Sequence, residues 1–132
     1  MKYLLDTDIC IYIINEKTQS ILNKLKTFSE EEIFISSITT SELYYGLEKS
    51  VHYEKNKKAL EEFLYPFSKI DYRYEHSNTY GKIRSELEKK GLIIGPYDLM
   101  IGAIAKFENM ILVTNNRKEF RRIKDLKIET WN

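Results

Sequence analysis

The 132-residue chain is poor in the residues that cross-link or interrupt a polypeptide, with one cysteine, two prolines and five glycines. A single cysteine excludes an internal disulfide and a cysteine-rich zinc site. No stretch approaches the roughly 20 consecutive apolar residues of a membrane span, and residues 1–6 lack the long apolar core of a signal peptide. We therefore expect a cytoplasmic protein without a membrane partner, in which Cys10 is a buried apolar residue of the first helix.

The chain also lacks an excess of either charge. Lys and Arg number 21 against 20 Asp and Glu, which leaves a formal net charge of +1. Overall charge therefore neither favours nor excludes a nucleic-acid partner. The distribution is uneven, because residues 117–124 contain five basic residues and one acid, whereas residues 30–32 are all glutamates. A basic segment beside a metal site would attract phosphates, and the alternative is that both runs are solvated surfaces.

Strand-like and helix-like patterns alternate along the sequence. Apolar runs predict strands at 3–7, 33–36, 69–72, 110–114 and 127–131, and helical spacing predicts helices at 8–14, 19–25, 39–49, 54–67, 77–90 and 98–108. Such alternation predicts an α/β sandwich with a mostly parallel sheet, and the length suits a single domain over residues 1–132. Functional groups of such folds collect where the carboxyl ends of strands meet the starts of helices.

Three dispersed acids occupy positions of that kind. Asp6 ends the first apolar run, and Glu42 and Asp98 each lie at the start of a helix-like segment. Acids that converge on one point would bind a hard divalent cation such as Mg²⁺ or Mn²⁺, which is suited to phosphodiester hydrolysis.

Local roles offer alternatives for two of these acids. Glu42 follows Thr39 by three residues, the spacing of a capping box, and Asp98 follows Pro96 closely enough to cap its own helix. Asp6 is harder to explain in this way, because an ionised carboxylate among so many apolar neighbours is costly unless it is paired or metal-bound.

Four segments carry a resemblance that spans essentially the whole chain. They are LLDTDICIY at 4–12, SELYYG at 41–46, GPYDLMIGA at 95–103 and LVTNNRKEF at 112–120. In this order they resemble VapC-type PIN-domain toxins. The resemblance implies a PIN-like three-layer sandwich whose mostly parallel central sheet is flanked by helices.

The resemblance also implies a function. It implies a Mg²⁺-dependent endoribonuclease, with Mn²⁺ as a substitute, that is the toxin of a bacterial toxin-antitoxin pair and halts translation by cutting structured RNA, often a tRNA. Such toxins form homodimers and are neutralised by a VapB-type antitoxin whose C-terminal segment lies across the active-site groove.

By match of position, the catalytic residues implied are Asp6, Glu42, Asp98 and Asn116, of which the three acids are the metal ligands. Many relatives have an aspartate where this chain has Asn116. A neutral amide oxygen would hold a second metal ion more weakly. Glu119 is either a substitute that acts through a water or a surface residue, and Asp8 is either a further site acid or a helix cap.

Other polar residues of the last segment are candidates for substrate contacts. Thr114 is expected to contribute hydrogen bonds beside Asn116, and Tyr97 is the tyrosine best placed to stack on an unpaired base. Candidates for contacts with the RNA backbone are Arg117, Lys118, Arg121 and Arg122.

Two other functions start from the same residues. The D-x-D pattern of residues 6–8 resembles the start of haloacid-dehalogenase-type phosphatases, in which the first aspartate is the nucleophile. That pattern needs an acidic pair after a later strand, where this chain has Asn115 and Asn116. The other alternative is a non-catalytic, degenerate PIN-like module that binds RNA or a protein, for which the missing carboxylate at Asn116 is the best support.

Overall fold

A five-stranded parallel sheet forms the centre of the computed structural model, which describes residues 1–131. The strands, in chain order, are β1 Tyr3–Leu5, β2 Ile33–Ser36, β3 Ser68–Ile70, β4 Ile111–Val113 and β5 Ile128–Glu129. Their order across the sheet is β3-β2-β1-β4-β5, and every pair of neighbours is parallel. The α/β fold predicted from the alternation is confirmed.

Helices connect the strands, as the helical spacing predicts. Their bounds are α1 Thr7–Glu16, α2 Gln19–Lys26, α3 Ser37–Glu48, α4 Tyr53–Leu64, α5 His76–Lys89, α6 Pro96–Glu108 and α7 Arg117–Phe120. The predicted starts of α3 and α6 are two residues late. Helix α3 begins earlier because Ser36 caps it, and α6 begins at proline because the fixed φ of this residue suits the first helical turn. The four-residue helix α7 is too short to show helical spacing in the sequence.

The two faces of the sheet are covered by different helices. Successive strand residues point to opposite faces, so Leu4 packs in an apolar cluster with residues of α5 and α6, whereas Leu5 packs in a second cluster with residues of α1, α3 and α4. The result is the expected three-layer sandwich. Cys10 is fully buried and free in the second cluster, as predicted.

Sheet register brings three chain segments to one level. Leu5 pairs with Ile35 on one side and with Val113 on the other. The next residue of each strand therefore lies at the same edge of the sheet, and the Asp6 amide donates to the Val113 carbonyl over 3.1 Å. Strand β1 lies between β2 and β4, and the chain reaches these two strands by separate crossovers. Ligands of open α/β sheets bind at the carboxyl ends of the strands at such a position.

None of the helices within residues 1–131 is long and apolar enough to cross a membrane.

Candidate active site

Asp6 lies at the centre of the carboxyl edge and is only 1% exposed. Its Oδ1 accepts a hydrogen bond of 2.8 Å from the Ile9 amide, which makes Asp6 the N-cap of α1. Its Oδ2 accepts a hydrogen bond from the Thr114 hydroxyl. Asp8 therefore does not cap this helix and lies exposed in its first turn.

A chain of hydrogen bonds runs from Thr114 to the start of α6. The Thr114 hydroxyl accepts from the Asn116 amide over 2.9 Å, and the Asn116 side-chain nitrogen donates to Glu119 over 2.6 Å. The other Glu119 oxygen accepts from the Gly95 amide over 3.2 Å. Glu119 is partly exposed and connects α7 to the N-terminus of α6, and its part in metal binding stays a prediction.

Glu42 faces the start of α1 from the middle of α3. The capping-box alternative is wrong, because the N-cap of α3 is Ser36, whose hydroxyl accepts from the Thr39 amide over 3.1 Å. The Glu42 carboxylate instead accepts a hydrogen bond of 2.6 Å from the Thr7 hydroxyl, which in turn lies 3.0 Å from the Thr39 hydroxyl. Sequence reasoning assigned neither threonine to Glu42, because Thr7 lies between two aspartates and Thr39 lies in a run of serines and threonines, where neither is distinctive.

Asp98 is the third residue of α6. Gly95 occupies the N-cap position without a side-chain hydrogen bond, and its amide donates to Glu119. Within the described residues the Asp98 carboxylate makes no capping hydrogen bond, so the structure does not support a cap as its role.

The charges of these acids repel one another. The pKa of Asp98 is raised from 3.8 to about 7, first by burial and then by repulsion from Glu119, Asp6, Asp8 and Glu42. The pKa of Asp6 is raised from 3.8 to about 6, again mainly by burial, although its hydrogen bonds from Thr114 and Ile9 oppose the rise. The structure therefore brings the three predicted acids together and adds Glu119 and Asp8 to them.

This arrangement suits a hard divalent cation. Carboxylate oxygens are the ligands that Mg²⁺ and Mn²⁺ prefer. Like charges that raise one another's pKa are unfavourable when the protein is alone, and a bound cation would offset that repulsion and keep the acids ionised.

A groove of about 680 Å³ opens beside two of these acids. Acidic Asp8 and Glu42 line it together with apolar Ile11 and Ile38 and the aromatic rings of Tyr45 and Tyr97. Tyr97 is 58% exposed, so its ring is available for stacking on a ligand.

The four basic candidates differ in their surroundings. Arg117, Lys118 and Arg121 are exposed on or next to α7. Arg122 is partly buried, and its guanidinium donates to the Ile93 carbonyl over 2.6 Å. Arg122 therefore connects two loops, whereas the other three remain available for a ligand.

Within residues 1–131, the only group of three or more His, Cys, Asp or Glu side chains with ligand atoms within 4.8 Å of one another is Glu75, His76 and Glu108. Glu108 is ten residues beyond Asp98 along α6, about 15 Å away. Fully buried His76 is already bound through both ring nitrogens, to the Arg73 amide over 2.9 Å and to Glu108 over 2.7 Å. Arg73 also pairs with both glutamates. This group is a polar connection between α5 and α6, separate from the site around Asp6.

Comparison with known proteins identifies the family. The family model described as PIN domain matches residues 3–126. Ribonuclease VapC2 of Rickettsia felis is 47% identical, with 100% of this chain and 99% of the relative covered. The tRNA(fMet)-specific endonuclease VapC of Salmonella typhimurium is 40% identical over 99% of this chain and 98% of its own length.

Solved structures agree with these sequence matches. The crystal structure of VapBC2 from Rickettsia felis bound to a DNA fragment from their promoter contains a chain that is 46% identical, with complete coverage of both chains and a TM-score of 0.95. DNA-bound VapBC from Salmonella typhimurium contains one that is 39% identical, covering 100% of this chain and 99% of its own, again with a TM-score of 0.95. The chain therefore belongs to the PIN-domain family and, within it, to the VapC proteins.

Proposed function

We propose that this protein is a Mg²⁺-dependent endoribonuclease, the toxin of a type II toxin-antitoxin pair, that inhibits translation by cleaving structured RNA. The observation that carries the proposal is the convergence of Asp6, Glu42 and Asp98 at the carboxyl edge of a PIN fold. Relatives that this chain covers almost completely are named ribonucleases, and two are named tRNA(fMet)-specific endonucleases. We therefore propose tRNA as the substrate class.

We assign a separate role to each residue of the site. Asp6, Glu42 and Asp98 would hold the cation, and Thr114 orients Asp6 through its hydrogen bond. When bound, the cation would polarise the scissile phosphate and lower the pKa of a coordinated water. Asn116 is oriented by Glu119 and offers a neutral oxygen to the substrate or to a second cation. Glu119 is the fourth acid, since its charge acts on Asp98 more strongly than that of any other acid.

RNA binding is assigned to exposed groups around the acids. Arg117, Lys118 and Arg121 would contact backbone phosphates, and Arg122 would act indirectly by fixing the adjacent loop. Tyr97, at the edge of the groove, would stack on an unpaired base. The match to the PIN-domain family argues against the phosphatase alternative. The presence of Asp6, Glu42 and Asp98 argues against a non-catalytic module.

The proposed partners are a VapB-type antitoxin and a second copy of this chain. Structures of VapBC complexes of two relatives support the antitoxin. Expression of the chain alone should arrest growth of a bacterial host, and co-expression of the neighbouring antitoxin gene should restore it. Light scattering of the purified chain should give the mass of a dimer, and a monomer mass across a wide concentration range would contradict that part.

Cleavage of total bacterial tRNA tests the catalytic proposal. The purified chain, freed of antitoxin, is incubated with tRNA in Mg²⁺ or Mn²⁺, with EDTA in a parallel reaction. Discrete fragments should appear only with the metal, and Asp98→Asn should abolish them. Asp71→Asn, which alters an exposed aspartate that does not perturb the site acids, is the matched control and should cleave normally.

Two outcomes would contradict the proposal. Equal cleavage in EDTA, or by Asp98→Asn, would mean that the acids do not act through a metal. Intact Mn²⁺ binding without cleavage of tRNA or rRNA would favour the non-catalytic module.

A further inference from the structure

Two threonine hydroxyls lie behind the Glu42 carboxylate. Thr7 is the first residue of α1 and is 7% exposed, and Thr39, in the first turn of α3, is fully buried. The Thr7 hydroxyl lies 2.6 Å from Glu42 Oε1 and 3.0 Å from the Thr39 hydroxyl. These contacts connect two helices that start at neighbouring strands of the sheet.

The directions of these hydrogen bonds follow from proton counting. A hydroxyl has one proton to donate, and Thr7 donates it to Glu42. Thr39 must therefore be the donor in its bond with Thr7. The bonds run in one direction, from Thr39 through Thr7 to Glu42, so that each hydroxyl polarises the next.

Rigidity distinguishes the two threonines from the glutamate. A glutamate side chain has three rotatable bonds, whereas threonine is branched at Cβ and is restricted about χ1. The backbone of Thr39 is held as well, because its amide donates to the Ser36 cap. Two stiff, buried side chains thus fix one oxygen of a flexible side chain. Among the described residues no other group donates to Glu42, so Oε2 is left for an external ligand.

We infer that Thr7 and Thr39 are positioning residues, which hold Glu42 in the orientation that metal binding requires. This inference rests on the proposed function, because it assigns Glu42 to a cation. Partners that orient a metal-binding carboxylate typically contribute about 10-fold or more to metal affinity. Thr7, which contacts the carboxylate directly, should contribute more than Thr39, which acts through Thr7.

The experiment measures Mn²⁺ affinity by electron paramagnetic resonance on the purified full chain, beside its thermal melting temperature. Thr7→Val removes the hydroxyl and nearly keeps the shape, and it should raise the Mn²⁺ Kd about 10-fold. Thr7→Ser restores the hydroxyl and should recover most of the affinity. Thr39→Val keeps the bond between Thr7 and Glu42, and we expect a smaller rise of about 2- to 5-fold. It tests the inference independently if Thr7→Val does not fold.

A double-mutant cycle separates positioning from a structural role. In a Glu42→Gln background, Thr7→Val should change the Mn²⁺ Kd by less than about 2-fold, because the group that Thr7 orients is no longer a metal-binding carboxylate. Thr18→Val is the matched control, since the Thr18 hydroxyl is buried without a partner in the described residues. It should leave the Kd unchanged.

Each result bears on a different claim. Normal Mn²⁺ binding by both Thr7→Val and Thr39→Val would overturn the inference alone, even if their melting temperatures fell. Absence of Mn²⁺ binding by the unmodified chain would overturn the proposed function and the inference together.

Discussion

Replacement of Asp98 by asparagine should stabilise the metal-free protein. Partial burial, and then repulsion from the other acids, raise the pKa of Asp98 from 3.8 to about 7. Folded Asp98 therefore keeps its proton at pH values where the unfolded chain has lost it. The free energy of unfolding consequently falls as pH rises from about 4 to about 7, and the destabilisation is fully present above pH 7.

The magnitude follows from the same pKa. A rise from 3.8 to about 7 corresponds to about 4 kcal/mol at 1.36 kcal/mol per pH unit. Asp98 is half-buried, so solvent and salt screening reduce this to about 2 kcal/mol. Asparagine also loses a favourable interaction of about 0.3 to 1 kcal/mol between the carboxylate and the N-terminus of α6. A net gain of about 1 kcal/mol remains, which is about 3 to 5 °C in melting temperature for a chain of this length.

Thermal melting followed by circular dichroism, in EDTA at pH 8 and low salt, measures this gain. Asp98→Asn should melt about 3 to 5 °C above the unmodified chain, and by pH 5 the difference should fall to roughly a third. Asp71→Asn, an exposed control, should change little at either pH. A lower melting temperature for Asp98→Asn at pH 8 would refute the reasoning, because it would show that Asp98 stabilises the fold.

Added Mg²⁺ should make the unmodified chain melt at a higher temperature than Asp98→Asn, the reverse of their order in EDTA. A ligand that binds only the folded state stabilises it in proportion to the logarithm of its concentration relative to Kd. The unmodified chain should therefore gain stability as Mg²⁺ is added, and Asp98→Asn should gain little. Equal gains would mean that Asp98 does not take part in metal binding.

Three further predictions concern the packing, a helix end and the basic surface. Gly102→Ala should destabilise the fold by about 1 to 3 kcal/mol in urea unfolding, because a Cβ there would lie 2.6 Å from Ile123 Cδ1. Adding Ile123→Val should recover part of the loss, and an unchanged urea midpoint for Gly102→Ala would contradict the close contact. Lys17→Gly should stabilise the folded protein by about 0.5 to 1 kcal/mol, because Lys17 ends α1 with a φ of 48°, a left-handed conformation that glycine adopts more easily. A lower melting temperature would contradict this expectation. Arg121→Gln should reduce the slope of log RNA affinity against log salt concentration by about 0.7 to 0.9. Arg122→Gln should leave the slope nearly unchanged, because Arg122 is bound to a backbone carbonyl. Equal slopes for the two variants would contradict the claim that only Arg121 contacts RNA phosphates.

The succession of strands and longer helices along the chain was predictable because their signals are local, whereas the order of the strands across the sheet was not predicted. Runs such as Ile33–Ser36 and the spacing of apolar residues in α6 are read within a few neighbouring residues. Helix boundaries were less predictable. The Thr39 and Glu42 pair satisfies the spacing of a capping box, yet Ser36 caps α3, because the end of β2 determines where the helix can begin. Residue spacing alone does not include that constraint.

Glu119 shows a different limit. In the sequence it is one acid among five basic residues, which is typical of a solvated segment. In the structure it binds Asn116 and the Gly95 amide, and it perturbs Asp98. This position depends on how α7 folds back on α6, and no local pattern encodes that approach.

The sequence by itself determined the α/β class, the resemblance to PIN-domain toxins and the identity of the acids, because apolar periodicity and short motifs are properties of neighbouring residues. Tertiary structure alone decided which groups share the site. Parallel register brings Asp6, Ser36 and Thr114 to one level, and the packing of α1 on α3 places Thr7 against Glu42. Such contacts join residues thirty or more positions apart, and they form because the close packing of both apolar faces of the sheet fixes the arrangement of its helices.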